Sequence, residues 1–298
     1  MISIPNKKTK FPDTPNGVVG MNYRNRNLVD VLNPRSLITL ANDKVFTKTT
    51  LEKHSITTPN ELAIINNSRQ IEPIYQMLIR RDMPFVLKPA RSARGRGVVL
   101  YQKVDKDGVT KVNGHRMEKS DFEFFIQQIL QGEYSFGRPQ DGVLIEEKIE
   151  TDKSWIMKDL PGAPDLRIVL IEGKPELAMA RLPTEASEGR ANLHCGAVGM
   201  GIDLVTHVTQ GGVHLDKRID RHPDTNQILA GHPVLDFDRC LEIAIQCYEA
   251  VPLGLLGVDL MRDINNGPTV VELNARPGLA IQVANGAGLL MSNSLSNK

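Results

Sequence analysis

The residues best suited to chemistry lie in the last predicted hairpin of the chain. Glu272 and Asn274 alternate along one predicted strand, so their side chains share a face. Asp259 lies on the preceding strand, and Asn-Asn-Gly at positions 265–267 predicts a two-residue turn. Asp259 therefore lies opposite Glu272 or Asn274, depending on which two residues form the turn. Two carboxylates and an amide oxygen suit Mg²⁺, with Mn²⁺ as an alternative, whereas in a solvated hairpin the facing acids would repel each other.

A second group of residues suits a phosphate. Lys88 precedes a loop rich in Gly and Arg that includes Arg94, Gly95 and Gly97. The glycines allow backbone N–H groups to close on an anion. Lys44 lies at the start of a predicted helix. By themselves these residues leave two interpretations open, a phosphate site and an exposed loop with surface lysines.

The middle of the chain carries further charged residues. Asp165 and Arg167 share a face of a predicted strand, and Arg181 ends its hairpin partner. One interpretation is a structural Asp–Arg pair. The other is an acid that meets a ribose and an arginine that meets a phosphoryl group.

Composition narrows the classes of protein. The 298 residues are 41% hydrophobic and 24% charged with a net charge of +1, which gives no basis for a nucleic-acid partner. No apolar run approaches the about 20 residues that span a bilayer, so we expect no direct membrane insertion. The three cysteines lack metal-site or disulfide spacing, which predicts a reducing compartment and hence a cytoplasmic protein.

Predicted elements alternate between helices and hairpins, which indicates an α+β fold with mixed or antiparallel sheets. Asn42 or Asp43 caps a helix that ends near His54, and Gly173-Lys174 marks a hairpin turn. Residues 203–234 are predicted to be rich in loops. We divide the chain into an N-terminal arm (1–40), a small lobe (41–142) and a C-terminal lobe (143–298).

The order of the motifs resembles the ATP-grasp superfamily. It runs from Asp-Lys on a helix and Lys-Pro with a Gly-rich hairpin, through Asp-x-Arg and Arg-x-Asn-Leu-His, to Gly-Val-Asp-Leu and Glu-Leu-Asn-Ala-Arg-Pro-Gly. Within that superfamily the chain is similar to the RimK-type glutamate ligases, and to their alpha-L-glutamate ligase-related branch, over residues 18–290. The resemblance implies an ATP-grasp fold in which two α/β lobes clamp ATP, with the N-terminal pre-ATP-grasp domain reduced or absent.

The resemblance also implies site residues. Lys44 and Lys88 would hold the ATP phosphates under a lid from Arg94 to Gly97. Arg167 and Arg276 would steady the acyl phosphate and the substrate carboxylate, and with Arg190 they form the catalytic set. The remaining positions would contact adenine (Glu147, Lys148), ribose (Asp165), the phosphate end of the nucleotide (Arg190, Ala191, Asn192) and the metal (Asp259, Glu272, Asn274).

The implied activity is that of an ATP-dependent carboxylate–amine ligase. It would form an amide or peptide bond through an acyl phosphate, adding glutamate or another amino acid, with small-molecule or peptide substrates. A homo-oligomer is compatible with this activity. Only about 40 residues precede Lys44, so the alternative is a non-catalytic ATP-binding partner of a larger cell-envelope or membrane system.

Overall fold

A computed structural model describes residues 15–92, 95–135, 140–152 and 154–290. The α-helices are α1 (Met21–Tyr23), α2 (Asp30–Leu32), α3 (Arg35–Ala41), α4 (Lys44–Lys53), α5 (Ile71–Arg81), α6 (Lys119–Leu130), α7 (Phe237–Ala250) and α8 (Ala280–Asn285). A π-helix (Arg24–Val29) joins α1 to α2, and short 3₁₀ turns lie at Pro15–Gly17, Ser68–Gln70 and Leu193–Cys195. No helix of the described part of the chain combines the length and apolar character needed to cross a membrane.

The described strands form two antiparallel sheets, which confirms the predicted α+β class. The strands are β1 (Glu61–Ile65), β2 (Phe85–Pro89), β3 (Val99–Asp105), β4 (Gly108–Lys111), β5 (Arg116–Glu118), β6 (Val143–Glu147), β7 (Asp165–Ile171), β8 (Lys174–Leu182), β9 (Val198–Ile202), β10 (Thr209–His214), β11 (Lys217–Ile219), β12 (Leu255–Asp263) and β13 (Gly267–Asn274). The first sheet has the order β1-β6-β2-β3-β4-β5, and the second has the order β11-β10-β9-β8-β7-β12-β13.

Aromatic residues fill the core of the first lobe. Strand alternation places Phe85 of β2 on the buried face, where its ring stacks on Tyr101 of β3 with centroids 5.0 Å apart. Phe122 of α6 meets the ring of Tyr101 edge-on at 5.4 Å. The amphipathic helices α5 and α6 therefore cover one face of the sheet with side chains such as Tyr75 and Phe122.

The second lobe has a larger aliphatic core. The turn between β7 and β8 has Glu172 and Gly173 at positive φ (47° and 82°), as a tight hairpin turn requires. A Cβ on Gly173 would lie 2.7 Å from the ring of Tyr248, so this position also needs glycine for close packing against α7. The hairpin predicted from Gly173-Lys174 is therefore present.

The N-terminal residues belong to this second core. Val19, Leu28 and Leu51 are buried in the same cluster as the strands of the second sheet. The Asn33 side chain donates to the carbonyl oxygens of Leu255 and Ala275, both at 2.9 Å, and accepts from Leu255 N at 2.8 Å. Residues 15–53 thus pack on the C-terminal lobe, including α4, which the sequence had assigned to the small lobe.

The sheets differ from the sequence predictions in two respects, one lobe boundary and one segment predicted to be rich in loops. Strand β6 lies between β1 and β2, so the first sheet extends to Glu147 and not to residue 142. Residues 203–234 contain β10 and β11, which extend the second sheet at one edge. The glycines of β10 obscured the strand in the sequence, since glycine is unfavourable inside strands. Gly212 is needed for packing, because an added Cβ would lie 2.5 Å from Leu229 Cδ1.

Candidate active site

A cleft opens where α4, the first sheet and the last hairpin meet. Its lining includes side chains from both lobes: Lys44, Thr47, Lys48, Thr58, Lys88, Leu144, Glu146, Val271, Glu272 and Leu273. Both lysines that the sequence assigned to phosphates therefore face the same space as one predicted metal ligand.

Lys44 joins the two lobes at this cleft. Asp43 caps α4 by accepting a hydrogen bond from Phe46 N at 3.1 Å, which fixes Lys44 as the first helical residue. The Lys44 ammonium donates to the carbonyl oxygen of Ser92 at 2.6 Å and lies 3.5 Å from Glu272 Oε1. A positive charge is thus held between the loop after β2 and the strand that carries the predicted metal ligands.

Lys88 is part of a buried ion-pair chain that the sequence did not reveal. Its Nζ lies 2.6 Å from Glu146 Oε2, and Lys48 Nζ lies 3.3 Å from Glu146 Oε1. Lys48 also donates to Thr58 Oγ1 at 2.8 Å and to the carbonyl oxygen of Pro59. The one available sequence signal was the spacing of Lys44 and Lys48, which places them on the same face of α4.

The Gly-rich loop reaches toward the other lobe. Gly95 and Gly97 have φ of 71° and 72°, which side chains rarely adopt, and a Cβ on Gly97 would meet Tyr134 Cδ1 at 2.8 Å. The Cβ position of Gly95 lies 3.9 Å from Asn192 Nδ2, so the predicted lid approaches the predicted nucleotide segment. Arg94 lies outside the described residues.

That nucleotide segment is a turn on the surface of the second lobe. Asn192 accepts from His194 N at 3.0 Å and so caps the 3₁₀ turn at Leu193–Cys195. Ala191 is half-buried, whereas the exposed Arg190 pairs with Glu188 at 2.7 Å. Arg190 is thus accessible, but the described structure does not hold it against the other predicted catalytic arginines.

The predicted adenine residues lie at the end of β6. Glu147 accepts from Asn60 Nδ2 at 2.9 Å, and its backbone N–H donates to the Asn60 carbonyl. With Lys148 and Thr269 it lines a second small polar pocket. Both lobes contribute to this pocket, which is the arrangement expected of a hinge.

Asp165, Arg181, Asp259 and Arg167 form a continuous hydrogen-bonded chain on β7, β8 and β12. Arg181 donates to both oxygens of Asp165 at 2.5 Å and to Asp259 Oδ2 at 2.9 Å. Arg167 donates from Nε to Asp259 Oδ1 at 2.7 Å and from Nη2 to Asp259 Oδ2 at 2.6 Å. The cross-strand register creates the network, since Asp165 lies opposite Arg181 and Arg167 lies opposite Asp259.

The two acids of this network have opposite pKa shifts. Burial raises the pKa of Asp165 to about 6, although the guanidinium of Arg181 acts against it. Burial acts in the same direction on Asp259, but Arg167 and Arg181 together outweigh it and lower its pKa to about 2. Asp259 therefore stays ionised under ordinary conditions, as a metal ligand must be.

The last hairpin has one of the two registers expected. Asp259 lies opposite Glu272, but the loop has three residues between Asp263 and Gly267, and a bulge at Val271 restores the pairing. Because residues directly opposite on paired strands have Cβ atoms about 5 Å apart, the two acids lie close together.

The predicted metal ligands have a chemistry that fits Mg²⁺. Two carboxylates and an amide oxygen are hard donors. The buried Nδ2 of Asn274 has no hydrogen-bond partner among the described residues, so no protein contact to this nitrogen fixes the orientation of the amide. A metal at Asp259 would share its oxygens with the arginines. The described residues contain no group of three or more His, Cys, Asp or Glu suited to a metal; since this set has only two acids, it stays a prediction.

Arg276 is exposed and lies in the loop after β13, between the buried residues Ala275 and Pro277. Among the described residues it makes no hydrogen bond or ion pair with the other predicted site residues. Arg167 approaches the same loop from β7, because its Nη1 is 3.9 Å from the Cβ position of Gly278. Of these two predicted catalytic arginines, Arg167 therefore contacts the last hairpin, through Asp259, and Arg276 makes no such contact within the described part of the chain.

Comparison with known proteins gives the family. The model of the sugar-transfer associated ATP-grasp family matches residues 23–297. Phosphoribosylamine–glycine ligase of Pseudomonas aeruginosa is 26% identical over 264 residues, which are 88% of this chain and 50% of that protein. The corresponding ligase of Pasteurella multocida is 24% identical over 242 residues, 80% of this chain and 45% of that protein. The chain therefore spans about half the length of the curated relatives that it matches.

Among solved structures, the D-cycloserine synthetase DcsG has a TM-score of 0.48 at 13% identity, covering 89% of this chain and 73% of that one. The fold is assigned by the family match over residues 23–297. That match confirms the predicted ATP-grasp fold, although the matching family is described by sugar transfer and not as RimK-type. The chain belongs to the sugar-transfer associated ATP-grasp family.

Proposed function

We propose that the chain is an ATP-dependent ligase that joins a carboxylate to an amine. The observation that carries this proposal is the position of Lys44, whose ammonium lies 3.5 Å from Glu272 at the cleft that Lys88 also lines. A phosphate group in this cleft would meet two lysines beside the strand that carries the metal ligands.

The chemistry follows from these groups. An oxygen of the substrate carboxylate attacks the γ-phosphorus of ATP, and ADP leaves. The amine then attacks the carbonyl carbon of the acyl phosphate, and inorganic phosphate leaves. Lys44, Lys88 and Arg167 offset negative charge around the transferred group. When bound, Mg²⁺ held by Asp259, Glu272 and Asn274 would neutralise phosphate charge.

The substrates that we propose carry a sugar. The family description refers to sugar transfer, and the name of both matched relatives contains a phosphoribosylamine. These names support a sugar-linked amine or carboxylate as the first substrate to test. Glutamate stays a second choice, because it rests on the RimK-type resemblance alone. A cytoplasmic location is compatible with the free cysteines of the described chain.

The decisive experiment measures ADP release. The protein is incubated with ATP, Mg²⁺ and pairs drawn from amino acids, sugar acids and amino sugars, and products are identified by mass spectrometry. We expect ADP and an amide product with at least one pair. Glu272→Gln should abolish turnover, whereas the matched change Glu249→Gln on the exposed face of α7 should not. Full activity of Glu272→Gln would refute the site.

A non-catalytic ATP-binding role is the second candidate. It is favoured by one observation: in this structure Arg167 and Arg181 occupy both oxygens of Asp259, where a catalytic metal would bind. ATP binding measured by calorimetry, combined with no ADP release across the whole panel, would support this role over the ligase.

A further inference from the structure

Lys48 is a buried lysine that the proposed chemistry leaves without a role. Its side chain is only 4% exposed, and lysines are seldom buried unless they are paired. Its ammonium has four oxygen neighbours: Thr58 Oγ1 at 2.8 Å, the carbonyl of Pro59, Glu52 Oε1 at 3.1 Å and Glu146 Oε1 at 3.3 Å. Of the two acids, Glu52 is half exposed and Glu146 is buried.

Glu146 is shared between two lysines from different parts of the chain. Lys48 approaches one carboxylate oxygen and Lys88 approaches the other, at 2.6 Å. Lys48 lies on α4, which packs on the second lobe, whereas Glu146 and Lys88 lie on neighbouring strands of the first sheet. The ion-pair chain thus crosses from one lobe to the other along the wall of the cleft.

A nucleotide phosphate in the cleft would compete with Glu146 for Lys88. If Lys88 were the only partner of Glu146, its departure would leave a buried carboxylate unpaired, which is costly. Lys48 removes that cost, because its ammonium remains paired with Oε1 of Glu146 when Lys88 leaves Oε2. Lysine suits this exchange, since its ammonium is a point charge on a flexible stem and does not need a fixed fork geometry.

We propose that Lys48 is a positioning residue that keeps Glu146 paired, so that the ammonium of Lys88 can move from this carboxylate to a phosphate of ATP. The inference rests on the proposed function, because it takes Lys88 as a phosphate ligand. It adds that nucleotide affinity depends on a residue that does not touch the nucleotide.

A double-mutant cycle with ATP and Mg²⁺ as the probe tests the proposal. Calorimetry would give the ATP affinity of the wild type, Lys48→Met, Glu146→Gln and the double variant. We expect Lys48→Met to weaken ATP binding by on the order of tenfold, since couplings between contacting charged groups have this size. Glu146→Gln should bind ATP at least as tightly as the wild type, because an amide does not compete for Lys88 as a charge. The double variant should match Glu146→Gln.

Restoration by Glu146→Gln separates this role from a structural one. Wild-type affinity in Lys48→Met would overturn the inference, and so would a double variant that binds as weakly as Lys48→Met. If Lys48→Met does not fold, Glu146→Gln and the double variant still decide: equal affinities support the inference and unequal ones overturn it. The matched control is Lys53→Met, at an exposed position of the same helix. Failure of the wild type to bind ATP would instead overturn the proposed function, and this inference with it.

Discussion

The two lobes hold the charges of the candidate site in different ways. At the first sheet, Glu146 of β6 contacts Lys88 of β2 at 2.6 Å and Lys48 of α4 at 3.3 Å, each through one oxygen. On the second sheet, Arg181 and Arg167 grip their carboxylates through paired nitrogens at 2.5–2.7 Å. A guanidinium fork fixes direction as well as charge, whereas an ammonium can be redirected. The comparison indicates that the lysines around Glu146 can rearrange, and we call them the movable side. The arginines around Asp165 and Asp259 keep their geometry, and we call them the fixed side.

The largest effect should come from breaking the fixed side. Arg181→Met leaves Asp165 without its charged partner and removes one partner of Asp259, both of which are buried. We expect a loss of about 3–5 kcal/mol in the free energy of unfolding, measured by urea denaturation without Mg²⁺. A loss below about 1 kcal/mol would mean that Arg181 does not hold the two aspartates as the structure shows.

The pH dependence of stability tests the same arginine–aspartate network through the pKa of Asp165. The pKa of Asp165 is raised to about 6 in the folded chain from an ordinary value of 3.8. This group therefore contributes stability that is present below pH 3.8 and is lost as the pH rises through about 6. Asp165→Asn does not titrate, so between about pH 3 and pH 8 the wild type should lose about 3 kcal/mol of unfolding free energy relative to it. Parallel stability curves for the two proteins would show that Asp165 has no raised pKa.

The movable side should tolerate the loss of one lysine. Lys88→Ala leaves Glu146 paired with Lys48, so we expect the free energy of unfolding to fall by only about 1 kcal/mol. ATP affinity should fall much more, because the phosphate loses a direct partner. Thermal unfolding and calorimetry on the same sample would check both. Severe destabilisation by Lys88→Ala would mean that the two sides do not differ.

The smallest effect on stability is expected at Arg190. Its pair with Glu188 is exposed on both sides, at 62% and 70%. Arg190→Gln should therefore change the free energy of unfolding by less than about 1 kcal/mol. Turnover should still fall if Arg190 meets the nucleotide, so steady-state rates with ATP and the identified substrates separate the two effects.

Local chemistry made much of this fold predictable. The Asp43 cap, the turn at Gly173 and the alternation of Glu272 with Asn274 are signals within a few residues, and the structure shows each element. The pairing of Asp259 with Glu272 was one of two predicted registers. The bulge at Val271 was not predictable, because it depends on how β12 fits both of its neighbours.

The rest of the site depends on contacts between distant residues. Nothing near Lys48 in the sequence indicates Glu146, and nothing near Asp259 indicates that Arg167 and Arg181 enclose it. Such pairs form only when α4 meets the first sheet and when β7 lies between β8 and β12. The proposed site residues came from the order of the sequence motifs. Their charged partners, such as Glu146 and Arg181, belong to no motif and could not be found in this way.

The three hydrogen bonds of Asn33 give this protein a built-in spectroscopic reporter. The amide proton of Leu255 is protected by the Asn33 side chain and not by another strand's backbone. Its exchange with deuterium therefore follows the detachment of the N-terminal helices, while neighbouring amides of β12 follow the opening of the sheet. One resonance at Leu255 would thus show whether ligands added to the cleft tighten or loosen the beginning of the chain.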